Sequence, residues 1–179
     1  MKHAARFETA IDLLARITMG KIPMDNVIRD FMAARRFIGS KDRTAIVERV
    51  YRAMRAQARL GWWLQKAGMA DTSRARLLAD FVFEESPDKE KTDEIFCGGK
   101  YGPPPLSEEE QNLVDMLLKE TLNNPQEMPV DILCECPEWA SARLHDLYGN
   151  DFKDQLSSMI DPAQLDLRVN TLKATRDEV

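Results

Sequence analysis

Apolar residues recur every three or four positions along most of this chain, the spacing of helices with one buried face. Over residues 4–19 the stripe is Phe7, Ala10, Ile11, Leu14 and Ile17, and Gly20 ends it. Pro23 opens a second helix with Val27, Ile28, Phe31 and Met32 on one side. Arg35 and Arg36 are expected in its last turn, where cations suit the helix dipole, and Gly39 is expected to stop it. Ser40 reads as the N-cap of the longest helix, with Asp42 in the first turn and a stripe of Ile46, Val47, Val50, Tyr51 and Met54. Gly61 is expected to break that pattern ahead of a short helix, WWLQKAG. Thr72 or Ser73 then caps a fifth, SRARLLADFVF.

The pattern changes at residues 86–105, SPDKEKTDEIFCGGKYGPPP, where Pro, Gly and charge predict an acidic loop. Ser107 with Glu110 forms a capping box ahead of Leu113, Met116, Leu117 and Leu118. Residues 123–136 read as a connector, and Pro137 takes a first-turn position in a helix running to about Tyr148 and ended by Gly149. A further helix follows Asp151 and stops at Asp161 and Pro162. Then the period switches to two: Leu165, Leu167 and Val169 alternate with Asp166, Arg168 and Asn170, which predicts a strand. Thr175 to Glu178 read as the start of another helix. The expected fold is mainly α: a helical domain over 1–122, a connector over 123–136, and over 137–179 a smaller helical segment with the first strand of an α/β unit that this chain does not complete.

Composition adds bounds. Hydrophobic residues are 44% and charged residues 31%, ordinary for a globular protein, and no apolar run approaches the roughly 20 residues of a membrane span. Glu8 and Asp12 interrupt the N-terminal apolar stretch, against a signal peptide, so a cytoplasmic location with no membrane partner is expected. Cys97, Cys134 and Cys136 are an odd set without paired C-x-x-C spacing, which disfavours disulfides and a zinc site. The net charge of −5 conceals an asymmetry. Residues 1–80 carry 16 Lys/Arg against 8 Asp/Glu, a net +8; residues 81–179 carry 9 against 22, a net −13. A basic front half suggests a polyanion as partner.

Catalytic chemistry is not visible. The chain has no G-x-G-x-x-G, P-loop, G-x-S-x-G or H-E-x-x-H, and only His3 and His145. No catalytic residue, metal ligand or cofactor-binding residue is therefore assigned. The strongest functional signal is cationic. Arg52, Arg55 and Arg59, spaced by three and four, are expected to line one helix face, with Arg43 and Arg49 before them and Arg35, Arg36 and Lys41 flanking. Guanidinium forks suit phosphates. Two readings stay open: a nucleic-acid-binding face, or a solvated helix face with local Glu48–Arg52 pairing. On the first, replacing Arg52, Arg55 and Arg59 together by Gln leaves the fold intact. Trp62 and Trp63 are candidates for base stacking or for core and rim.

Two stretches resemble known families. SKDRTAIVERVYRAMRAQARLGWWL, through Ser40, Lys41, Asp42, Arg43 and Val50-Tyr51, resembles the central helix of NusB-like RNA-binding domains. Residues 136–179 resemble the segment ahead of the catalytic domain in the RsmB/Nop/Sun family of RNA cytosine 5-methyltransferases. That match is P-x-W at Pro137 and Trp139, Tyr148-Gly149, and RVNTLK at 168–173. The resemblance implies that the strand opens an RRM-like domain and that an S-adenosylmethionine domain with the catalytic cysteines lies outside this chain. Catalytic and cofactor residues of the family map onto nothing here, so this chain is expected to hold no cofactor while its parent uses S-adenosylmethionine. The implied partner is structured RNA, ribosomal RNA foremost, with no small-molecule substrate. Arg168 and Lys173 join the candidate RNA contacts. A stand-alone NusB-like module and a helical protein–protein adaptor are the competing readings.

Overall fold

The computed structural model describes residues 1–124, 126–160 and 168–178. Every α-helix longer than four residues except one was expected from the pattern. The order is α1 (His3–Met19), α2 (Met24–Ala33), α3 (Ser40–Arg55), α4 (Gln57–Lys66), α5 (Ser73–Glu85), α6 (Lys89–Ile95), α7 (Glu108–Leu117), α8 (Val130–Leu133), α9 (Glu138–Tyr148) and α10 (Phe152–Ser157). The main core is built where α1, α3 and α5 pack together, with α4 and α7 against α5 and α6 against α1. Phe7 on α1 sits edge-on to Phe81 (5.6 Å) and Phe96 (5.1 Å), and Leu13, Leu14, Leu77 and Leu78 are sealed from solvent beside them. Each such side chain contributes roughly 1.5–3 kcal/mol through burial.

Local capping follows the sequence where the cap is local. Thr72 Oγ1 accepts from Ala75 N at the start of α5. Ser107 and Glu110 close a reciprocal capping box at the start of α7. Several expectations need correction. The break expected at Gly61 lies instead at Ala56, and Gly61 is inside α4. The second helix stops at Ala33, so Arg35 and Arg36 fall in the turn beyond it. The segment expected as a loop over 86–105 contains α6, capped by Asp88, whose side chain accepts from Lys91 N at 2.8 Å. Its end drops Ile95 and Phe96 into the main core, and Arg74 fastens the proline run by donating to Pro104 O and Pro105 O. Gly102 lies so close to Ala4 that a side chain there would collide with it.

The connector of residues 123–136 is likewise structured. Met128 is buried in the main core and Ile132 and Leu133 pack against it. One residue later the chain changes core: Cys134 and Cys136 are buried with Phe152 and Leu156 in a second, smaller cluster under α9 and α10. Main-core packing thus extends beyond residue 122.

A further correction concerns the strand expected near the end. Residues 165–167 lie outside the described residues. Arg168–Asn170 are neither helix nor strand, and Thr171–Lys173 form a turn. Lys173 N and Ala174 N donate to Asn170 O (2.8 and 3.1 Å), and Asn170 Oδ1 accepts from Leu172 N (3.1 Å). An Asn that can bond its own following backbone favours a turn, and a strand without a partner gains no ladder. Thr175 then meets Glu178 across a short 3-10 turn, Arg176–Glu178. Among the described residues there is no strand, and the molecule is mainly helical.

Candidate nucleic-acid interface

Most of the candidate arginines are committed to partners inside the molecule. Arg52 clamps Asp80 with two parallel hydrogen bonds, Nε to Oδ1 at 2.8 Å and Nη2 to Oδ2 at 2.7 Å. Burial pushes the Asp80 carboxyl up, against the pull of that guanidinium. Burial works against the Arg52 charge too, but the Asp80 hydrogen bonds and charge outweigh it and its affinity for the proton rises. Arg49 donates to Glu85 at 2.7 Å while its guanidinium lies 4.7 Å from the Phe7 ring centre. Burial raises the Glu85 carboxyl, but hydrogen bonds from Lys91 and Arg49 more than reverse this and hold it low.

Arg59 is more deeply enclosed, at 6% exposure. Its Nε donates to Glu135 Oε1 at 2.8 Å and its Nη1 to Asn123 Oδ1 at 2.7 Å. Glu135 also accepts from Ala58 N and Arg59 N, at 2.8 and 3.1 Å, and so caps the N-terminus of α4 from 76 or 77 residues away. That tertiary cap explains the break at Ala56. It also dissolves the expected row: Arg59 is on a new helix, buried, and does not continue the face of Arg52 and Arg55.

Glu135 itself is held in the left-handed region, φ +53. Cys136 N donates to Asp131 O (2.8 Å) and Glu135 N to Ile132 O (3.0 Å), the paired bonds of a Schellman ending to α8. Glycine is the usual residue at that position. Glutamate tolerates it here because its carboxylate is fixed by three N–H groups. No sequence signal marks this residue except its place just after a short apolar stretch.

Arg35 stacks on Phe31, 3.6 Å from the ring centre, and pairs with Asp12 at 2.7 Å. Arg43 Nε donates to Ile38 O at 2.8 Å and Nη2 to Arg35 O at 3.4 Å, stitching down the turn between α2 and α3. Trp63 is fully buried with Nε1 donating to Leu122 O, so it is core and not a stacking surface; Trp62 meets it edge-on and is half-buried.

Arg36, Lys41 and Arg55 remain exposed, and no ion pair to any of them is present among the described residues. Lys41 and Arg55 sit at opposite ends of α3, about 21 Å apart along its axis. Arg55 also edges a cleft of about 340 Å³ between the two clusters, lined by Met54, Cys134, Leu144 and Leu156. Arg168 and Lys173 are exposed in the terminal turn, and none of residues 168–178 joins either core cluster.

The charge asymmetry of the chain is therefore partly spent internally. Arg49, Arg59, Lys66 and Arg74, all in the basic half, pair in that order with Glu85, Glu135, Glu127 and Glu110 of the acidic half. His145 Nε2 meets Asp131 Oδ1 at 2.7 Å and its ring stacks on Phe152 at 3.6 Å. Burial raises the Asp131 carboxyl, and hydrogen bonds from Ser141 and His145 outweigh it and hold it low. Among the described residues no group of three His, Cys, Asp or Glu is placed to share a metal ion, and no helix is long and apolar enough to cross a membrane. Comparison with family models, with curated proteins and with solved structures returns no match.

Proposed function

We propose that this chain is the RNA-binding, non-catalytic part of an S-adenosylmethionine-dependent RNA cytosine 5-methyltransferase. It would hold structured RNA, ribosomal RNA first among candidates, while a catalytic domain flips and methylates the base. The observation that carries this reading is the ordered set Pro137-x-Trp139, Tyr148-Gly149 and RVNTLK at 168–173, which resembles the RsmB/Nop/Sun segment ahead of the catalytic domain. The exposed cations Arg36, Lys41 and Arg55 support it, because they keep their charge available for phosphate. The RNA contact is assigned to these three and not to Arg49, Arg52 and Arg59, whose guanidinium groups serve the fold. A gel-shift series with ribosomal RNA helices and with an unrelated duplex of equal length tests it. Binding at low salt is expected, and none to either RNA would overturn the reading.

A stand-alone NusB-like module gains from the turn at Thr171–Lys173, since the expected strand was the main argument for a following α/β domain. An adaptor role gains from α9, whose Trp139 and Leu147 are 83% and 69% exposed.

A further inference from the structure

An exposed aromatic ring is unremarkable when it rides on a loose loop. Phe37 is different. It is 82% exposed, yet its turn, residues 34–39, is fixed on both sides. Before it, Arg35 is stacked on Phe31 and paired with Asp12. After it, Ile38 is anchored in the core at 2% exposure. Across it, Ile38 N bonds Arg35 O at 3.0 Å, and Arg43 grips the carbonyls of both Arg35 and Ile38. The side chains this clamp leaves in solvent include Arg36, Phe37 and, two residues beyond Gly39, Lys41. The acid of this stretch, Asp42, is engaged by Arg6 and the N-terminal amine. The result is an anchored turn that exposes an aromatic ring beside Arg36 and four residues before Lys41.

Resting on the RNA-binding reading above, we infer that Phe37 is a stacking platform for an unpaired base of single-stranded RNA, with Arg36 and Lys41 taking the flanking phosphates. A base has two faces and no net charge, so an exposed ring gains by stacking on it, while the cations meet the backbone on either side. A duplex hides its base faces and would meet only the cations. The site therefore selects single-stranded segments, loops or bulges, with little sequence preference.

The test uses the full chain, a fluorescein-labelled single-stranded RNA of about a dozen nucleotides, and a duplex of the same sequence. Phe37→Ala is expected to weaken single-strand binding about fivefold or more, while duplex binding and the unfolding midpoint stay unchanged. Phe37→Trp is expected to restore affinity, with the added tryptophan emission quenched on binding. Wild-type binding to the single strand that Phe37→Ala leaves unaltered would overturn the stacking inference and leave the RNA reading standing. Failure of wild type to bind either RNA would overturn both. Concentration-dependent self-association of the wild type, abolished by Phe37→Ala with RNA binding unaltered, would assign the ring to a protein contact instead.

Discussion

Glu135 reaches back 76 residues to hold Arg59, and with the same carboxylate caps the helix on which Arg59 rides. The pair is nearly dry: the Arg59 side chain is 8% exposed and that of Glu135 12%. Removing one member of such a pair leaves the other charge buried alone, which costs about 3–5 kcal/mol. Glu135→Ala is therefore expected to lower unfolding free energy by about that amount in urea titration, despite relieving little of the strain at its positive φ. Replacing Glu135 and Arg59 together by Leu and Met is expected to cost less than the sum of the two single changes. Additive losses would show that the pair is not coupled.

The same logic separates three arginines that look alike in sequence. Arg52→Gln strips the bidentate partner from buried Asp80, and Arg59→Gln removes the guanidinium that donates to Glu135 and Asn123. Each is expected to destabilise the fold by more than about 2 kcal/mol. Arg55→Gln, on an exposed side chain, is expected to change stability by less than about 0.5 kcal/mol. A triple Gln variant would thus lose much of its stability, contrary to the expectation from helix propensity alone. Thermal unfolding of the three single variants side by side decides this.

Acid lability follows from the carboxylates held low. Glu85 and Glu110 are lowered by their Arg and Lys partners, and Asp131 by Ser141 and His145, each against an opposing burial effect. A carboxyl lowered in the folded state adds stability that is present above its unfolded value, about 4, and is lost as pH falls through the folded value. Asp80, raised by burial, has the opposite sign: its contribution is present below the unfolded value and is lost as pH rises through the folded one. The lowered carboxylates predict an acid limb in which unfolding free energy falls below about pH 5, and Asp80 opposes it. Glu110→Gln is expected to flatten that acid limb. An unchanged slope would show that the Arg74 pair does not contribute.

How far the sequence could be read depended on how local the cause was. The capping box of Ser107 and Glu110, the Thr72 cap and the stop at Gly149 each act within a few residues, and all are where the pattern places them. Helix α6 is not legible in the pattern because its end is held by Phe96 packing on Phe7 and Phe81, in a segment that otherwise reads as charge and proline. The Arg row was legible as spacing and misleading as exposure. Spacing by three and four cannot show that a glutamate from beyond residue 130 will break the helix at Ala56 and enclose Arg59. Likewise, the period of two cannot show that Asn170 bonds the backbone that follows it, which sets the turn over residues 171–173. Arg36, Lys41 and Arg55, exposed on and beside α3, were in the sequence, but nothing there distinguished them from their paired neighbours.

The most direct test of the central claim is the salt dependence of RNA binding, measured for wild type and for the triple variant Arg36→Gln, Lys41→Gln, Arg55→Gln. Each phosphate that a cation neutralises releases counterions, so the slope of log affinity against log salt records how many such contacts exist. If these three exposed cations meet the RNA, the triple variant keeps the wild-type unfolding midpoint, and its slope on single-stranded RNA shrinks by roughly two. Equal slopes and equal affinities would contradict the account, and these three cations would then be solvated side chains with no part in holding RNA.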